Sequence, residues 1–134
     1  MENIELSKYN DTTHKIIGCA MAVHNQMGNG FQEVIYQRAL AIEFYKQDIA
    51  FEREVEMPIY YDEQSIGTRR VDFLVEKEIL VELKAIAELN SNNYAQIINY
   101  LTAYKLPIGL LINFGEKKIK FKRFVKTYKN GTNY

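Results

Sequence analysis

The chain has 134 residues, 47% of them apolar and 25% charged, which suits one compact domain over the whole length and excludes two, since each half would be too small to bury a core. Ten tyrosines and seven phenylalanines exclude a disordered chain, because that much apolar surface offsets the entropy of ordering. The net charge of zero favours a local charged contact over wholesale electrostatic capture of a polyanion.

The first predicted element is a helix from about Asp11 to Met27, where Ile16, Ile17, Ala20, Met21, Val23 and Met27 recur at three-to-four spacing and Asp11 or Thr12 is suited to cap the start. Gly28-Asn29-Gly30 breaks it, and a second helical pattern runs from about Gln32 to Gln47 through Val34, Ile35, Leu40 and Phe44. From Ala50 the period becomes two, through Phe51, Arg53, Val55 and Met57 to Tyr61, which predicts a strand. A turn over Asp62 to Gly67 leads into strands at about Thr68 to Glu76 and Glu78 to Ala85. Ser91 can cap a third helix reaching about Lys105, with Tyr94, Ile97, Ile98, Leu101 and Tyr104 on its buried face. Ile108 to Phe114 reads as a central strand covered on both faces, and Lys118 to Val125 alternates as an edge strand does. The predicted order is α-α-β-β-β-α-β-β, an α/β fold with helices flanking a mixed sheet.

From Glu116 to Tyr134 seven Lys or Arg residues face one acid, a balance of +6 that leaves −6 on the remainder. Lys118, Lys120 and Lys122 are either the wet face of an aggregation-resistant edge or a strip that meets phosphates. Cys19 is the only cysteine and His14 and His24 the only histidines, so no internal disulfide and no Cys/His zinc cluster is expected. The N-terminus lacks the order of a signal peptide and no apolar run nears the ~20 residues that span a bilayer, so a cytoplasmic protein without a membrane partner is expected.

The chemistry concentrates in the hairpin between the second and third strands. Alternation groups Asp72, Leu74 and Glu76 on one face, Val71, Phe73 and Val75 on the other, and Leu80, Glu82 and Lys84 together. A turn centred on Lys77 sets Val75 opposite Ile79, Leu74 opposite Leu80, and Asp72 opposite Glu82. Two carboxylates about 5 Å apart destabilise a strand pair unless something compensates. A divalent cation does so, since Mg²⁺ is commonly held by one or two carboxylates, waters and phosphate oxygens. Lys84, two residues beyond Glu82, could then orient or help deprotonate an attacking water. The rival reading is a solvated sheet face with a cross-strand ion pair, but Ile79-Leu80-Val81-Glu82-Leu83-Lys84-Ala85-Ile86 is too apolar for a freely exposed edge.

Asp72, then Glu82-Leu83-Lys84 on the next strand, preceded and followed by helices, resembles the PD-(D/E)xK nuclease superfamily, whose restriction-endonuclease-like α-β-β-β-α-β core matches the predicted order. Val71 stands where the motif has Pro. Gly30-Phe31-Gln32-Glu33-Val34-Ile35-Tyr36 further resembles the signature of the small bacterial GxxExxY proteins of that superfamily, as do the blocks at Arg70-Val71-Asp72-Phe73, Val81 to Lys84 and Leu110 to Gly115. The resemblance spans about Ile16 to Phe124. It implies that Asp72 and Glu82 bind Mg²⁺ or Mn²⁺, that Lys84 assists the water, and that Glu33 brings a further acid to the metal.

Glu33 and Tyr36, at i and i+3, face the same way, so Tyr36 is a candidate substrate contact. Against this, Glu33 also suits a helix start and Tyr36 a core. Gln96 and Tyr100 in Gln96-Ile97-Ile98-Asn99-Tyr100 resemble the Q-x-x-x-Y motif of RecB-type nucleases. They stack at i and i+4 and either hold a phosphate or base or serve as ordinary helix surface. Of Arg69 and Arg70 only one can contact phosphate, and Arg70, which lies with Asp72 in a regular strand, is expected to do so.

The expected function is a metal-dependent nuclease that hydrolyses phosphodiester bonds of DNA or RNA through metal-activated water. The alternative is a nuclease-fold module of little activity that binds nucleic acid or a protein partner. A homodimer that reaches both strands is open, with no residue marking an interface.

Overall fold

The computed structural model of the chain describes residues 7–129 and 132–133. Helices α1 (Asn10–Met27) and α2 (Glu33–Lys46) precede strands β1 (Phe51–Tyr61), β2 (Gln64–Val75) and β3 (Ile79–Lys84). Helix α3 (Ser91–Tyr104) and strands β4 (Ile108–Asn113) and β5 (Lys120–Val125) follow, and a short pair β6 (Tyr128–Lys129) and β7 (Thr132–Asn133) was not anticipated. One five-stranded sheet has the order β1-β2-β3-β4-β5, antiparallel except between β3 and β4. The α/β architecture with a mixed sheet between helices is the one expected. Among the described residues no helix is long and apolar enough to cross a membrane.

The two faces of the sheet bury separate cores, because β3 and β4 are apolar at nearly every position. Helices α1 and α2 cover one face, packing Ile16, Tyr36, Leu40 and Phe44 on Phe73 and Val81. Helix α3 covers the other, setting Ile97 and Leu101 on Leu80 and Leu111. Gly109 permits that approach: a Cβ there would lie 3.1 Å from Ile97 Cδ1 and 3.2 Å from Leu101 Cδ2.

Several local expectations are corrected. The first hairpin turns at Asp62-Glu63 alone, with φ of 50° and 63°, so β2 begins at Gln64 rather than Thr68. Two residues of positive φ suffice there because their twist matches that of the flanking strands. Helix α1 carries Tyr9 at its N-cap with no side-chain cap, so neither Asp11 nor Thr12 plays that part. Helix α3 is capped by Asn90 rather than Ser91. The Asn90 side chain accepts from the Asn92 and Asn93 amides, and Asn93 returns a bond to the Asn90 amide.

The hairpin of β2 and β3 has the expected register, Val75 opposite Ile79 and Leu74 opposite Leu80, around Glu76 and Lys77 at φ of 51° and 63°. Its alternation does not hold throughout. Phe73 and Val75 belong to the core under α1 and α2, but Val71 joins the core under α3. The strand therefore changes face at Asp72. Strand β1 does the same beside it: Phe51 packs with the first core, Val55 with the second, and Glu54 between them has φ of 54° and leaves the ladder.

Candidate active site

The site forms where the β2–β3 ladder stops, one residue beyond the pairing of Phe73 with Val81. At that point side chains replace backbone partners. The Asp72 amide donates to Glu82 Oε1 at 3.1 Å, and the Leu83 amide donates to Asp72 Oδ2 at 2.8 Å. Each carboxylate thus takes up an N–H that the opened ladder would leave unpaired in the interior. Asp72 Oδ1 accepts from Gln37 Nε2 of α2 at 2.8 Å, which fixes the carboxylate from the third side.

Glu82 is 3% exposed. Burial first, and the neighbouring Asp72 carboxylate second, push its carboxyl up to about 8, against the opposing pull of the Asp72 amide, Arg69 and Lys84. Arg69 Nη2 lies 3.8 Å from Glu82 Oε2. The same guanidinium donates through Nε to the Tyr100 hydroxyl and lies 5.3 Å from the Tyr100 ring centre. Lys84 Nζ donates to Gln96 Oε1 at 3.5 Å. Gln96 and Tyr100, one turn apart on α3, therefore hold the two cations beside Glu82. Tyr104 extends the row, stacked on Tyr100 at 6.1 Å and bonded to the Met57 carbonyl.

Glu33 stands on the exposed first turn of α2, one turn before Gln37 and on its face. Partial desolvation raises its carboxyl, with Lys84 opposing, Asp72 reinforcing and Arg69 opposing, so it faces the same cluster. The structure thus gathers Asp72, Glu82, Lys84, Glu33, Gln96 and Tyr100.

Two candidates are placed elsewhere. Tyr36 is fully buried, stacked on Phe114 at 4.6 Å, its hydroxyl donating to the Gly28 carbonyl and accepting from the Phe31 amide. It clamps the loop before α2 and is not open to a substrate. Arg70 pairs with Glu54 and Glu56 of β1 at 3.6 and 3.7 Å. The change of face at Asp72 sends Arg69, not Arg70, towards Glu82, so the expected order of the two arginines is reversed.

Two residues of the site, Gln37 and Asn113, escaped the sequence reading, and a third, Arg69, was set behind Arg70. Gln37 was accessible through its i, i+4 relation to Glu33. The facing of Arg69 was hidden by the unbroken alternation of Val71-Asp72-Phe73. Asn113, fully buried opposite Lys84 in the parallel register, has every polar atom engaged. Its Oδ1 accepts from the Ile86 and Gly115 amides, and its Nδ2 donates to the Ile86 carbonyl and to Glu116 Oε2. Together with the Phe114 amide on the Lys84 carbonyl at 2.8 Å, it ties down the chain just after Lys84. Gly115 is required there, because a Cβ would lie 2.3 Å from the Ile86 carbonyl oxygen.

The donor set suits a hard divalent cation. Asp72 and Glu82 present oxygens only, each oxygen has a second lone pair beyond the bonds described, and such ions often take one or two carboxylates and complete their shell with water and phosphate. Among the described residues no group of three His, Cys, Asp or Glu side chains is gathered closely enough to hold a metal by itself.

A family profile described as the PD-(D/E)XK nuclease superfamily matches residues 10–124. The chain belongs to that superfamily. As a PD-(D/E)XK protein it also resembles a solved fold, the crystal structure of SSO0001, with a TM-score of 0.54 and 18% identity over 71% of this chain and 50% of that one. The PD-(D/E)XK chain thus spans about half the length of that structure, and the likeness concerns the fold. No curated protein matches it.

Proposed function

We propose that the protein is a Mg²⁺- or Mn²⁺-dependent phosphodiesterase acting on DNA or RNA. The reading is carried by one observation: the half-buried Asp72 and buried Glu82 carboxylates interlock at a break in the sheet, with Lys84 next on the same strand face. Asp72 and Glu82 would hold the cation, with Glu33 able to reach it from α2 through water. A divalent cation bound there supplies Lewis-acid stabilisation of the charge that develops on the phosphate.

The chain's own groups do the rest. Gln37 and the Leu83 amide fix the Asp72 oxygens, so the carboxylate needs no reorganisation. Lys84, steadied by Gln96, orients the attacking water as a hydrogen-bond donor. Arg69, held flat by Tyr100, presents its planar donors to a non-bridging phosphate oxygen. The narrower kinship with the GxxExxY proteins draws support from the segment that names it, since Tyr36 clamps the loop that aims Glu33 at the cluster.

Cleavage of single- and double-stranded DNA and RNA in Mg²⁺ and in Mn²⁺ tests the reading. Wild type is expected to cut, and Lys84→Ala and Asp72→Asn to lose about 10²-fold or more, as removal of a transition-state contact does. Wild-type rates in both variants would sink it.

A second reading, a module that binds nucleic acid or a protein with little hydrolysis, is favoured by the lack of a third close metal ligand among the described residues. Nucleic-acid binding without cleavage in either metal would establish it.

A further inference from the structure

Beyond the cluster around Glu82, α3 bounds a second concavity. Gln96 and Tyr100 face β3 and β2, whereas Tyr94 packs against Phe124 of β5, their rings 5.8 Å apart. There an open recess of about 330 Å³ is lined by Tyr94, Lys120, Phe121, Lys122, Leu89 and the acids Glu88 and Glu116. That volume lies at the small end of ligand sites. Lys122 Nζ lies 5.5 Å from the Tyr94 ring and 5.8 Å from that of Phe124. Lys120 and Lys122, both exposed, are its two cationic lining residues. Of the two acids, Glu116 is already bonded by Asn113 Nδ2.

The placement matters as much as the lining. Strands β3 and β4 are parallel and pair Lys84 with Asn113 at their carboxyl ends. The loops leaving those two ends supply Glu88, Leu89 and Glu116 to the recess. Ligands of open α/β sheets bind outside such carboxyl ends. From β3 to β5 is two strand spacings, about 10 Å, so a strand bound at Lys84 brings a neighbouring nucleotide to the recess.

We propose that this recess is a subsite for one unpaired base of a single-stranded nucleic acid flanking the bond held at Lys84, with Tyr94 as the stacking platform and Lys120 and Lys122 on the adjoining phosphates. The inference rests on the nuclease reading above and adds the form of the substrate. An aromatic face inside a concavity takes a base only when that base has left its own stack, which selects single strands over duplex. An exposed cation–π contact holds Lys122 by only about 0.5–1 kcal/mol, so an arriving phosphate can draw the ammonium away and free the ring.

The test is binding of a fluorescent single-stranded oligonucleotide and of the same sequence as a blunt duplex, without divalent cation, to the full chain. Wild type is expected to prefer the single strand. Tyr94→Leu should weaken that binding about 5- to 150-fold and Tyr94→Phe should leave it near wild type. Lys120→Ala and Lys122→Ala, at exposed positions, should each lower the salt dependence by about 0.7 in log–log slope. Unchanged binding in Tyr94→Leu and in both lysine variants, or a preference for duplex, overturns the subsite. Cleavage assays on the same samples separate the two claims. Mg²⁺-dependent cutting with unaltered binding in those variants overturns the subsite alone. Loss of single-strand binding in Tyr94→Leu, with no cutting by wild type in either metal, supports the subsite and overturns the nuclease reading.

Discussion

Glu82 sits inside an apolar strand beside a second carboxylate, and the cost of that arrangement is measurable. Its carboxyl loses its proton near 4.5 when the chain is unfolded and near 8 in the folded chain. Between those values the folded state binds the extra proton, so stability falls as pH rises, by up to about 1.4 kcal/mol per unit from this residue, and the contribution is flat outside the window. Urea titrations of the metal-free protein from pH 4.5 to 8 should show the decline, and Glu82→Gln should flatten it and be the more stable protein at pH 8. At pH 7 the carboxyl still carries its proton, so Mg²⁺ should displace close to one proton as it binds. Calorimetry in buffers of different ionisation enthalpy reads that number directly. The arginines divide as sharply. Arg69→Ala should lower kcat/KM by about 10²-fold through loss of a preorganised donor. Arg70→Ala removes only exposed pairs with Glu54 and Glu56 and should change urea-measured stability by no more than about 1 kcal/mol.

Among the elements, the β3–β4 pair sets Lys84 by way of the latch at its end. Asn113→Leu keeps the volume but strands the Ile86 and Gly115 amides and the Ile86 carbonyl in the interior, at about 1–3 kcal/mol for each buried group. A loss of several kcal/mol in urea unfolding is expected, and a change below about 1 kcal/mol would contradict the latch. The strand pairing of β2 with β3 was legible because the apolar runs end on either side of Lys77 and only one register buries both. The change of face at Asp72 was not. Val71, Asp72 and Phe73 alternate without interruption, and the positive φ at Glu54 that accompanies the change falls on a residue with no special preference for it. Arg69 was set behind Arg70 for that reason. Glu33, Gln96 and Tyr100 were singled out by family resemblance, and helical spacing added only which side chains share a face; spacing gives direction without depth, and so it could not tell that Tyr36 lies wholly beneath the surface its neighbour Glu33 occupies.

At the scale of the whole molecule, the sheet separates two cores and leaves the cluster at its rim between α2 and α3, where helices from both faces reach it. Gln37 approaches Asp72 from one side, and Gln96 and Tyr100 approach Lys84 and Arg69 from the other. With zero net charge, the proposed affinity for nucleic acid would come from few contacts. Arg69, Lys84, Lys120 and Lys122 predict a log–log salt slope near −3 for a single strand, at about 0.7 per phosphate, and a much steeper slope would point to a binding face other than this one. The measurement that bears most directly on the account is calorimetric titration of Mg²⁺ and Mn²⁺ into wild type, Asp72→Asn and Glu82→Gln, with and without nucleic acid. The account predicts saturable binding to wild type that both substitutions abolish. Binding that survives both substitutions, or no binding by wild type even with nucleic acid present, would contradict it.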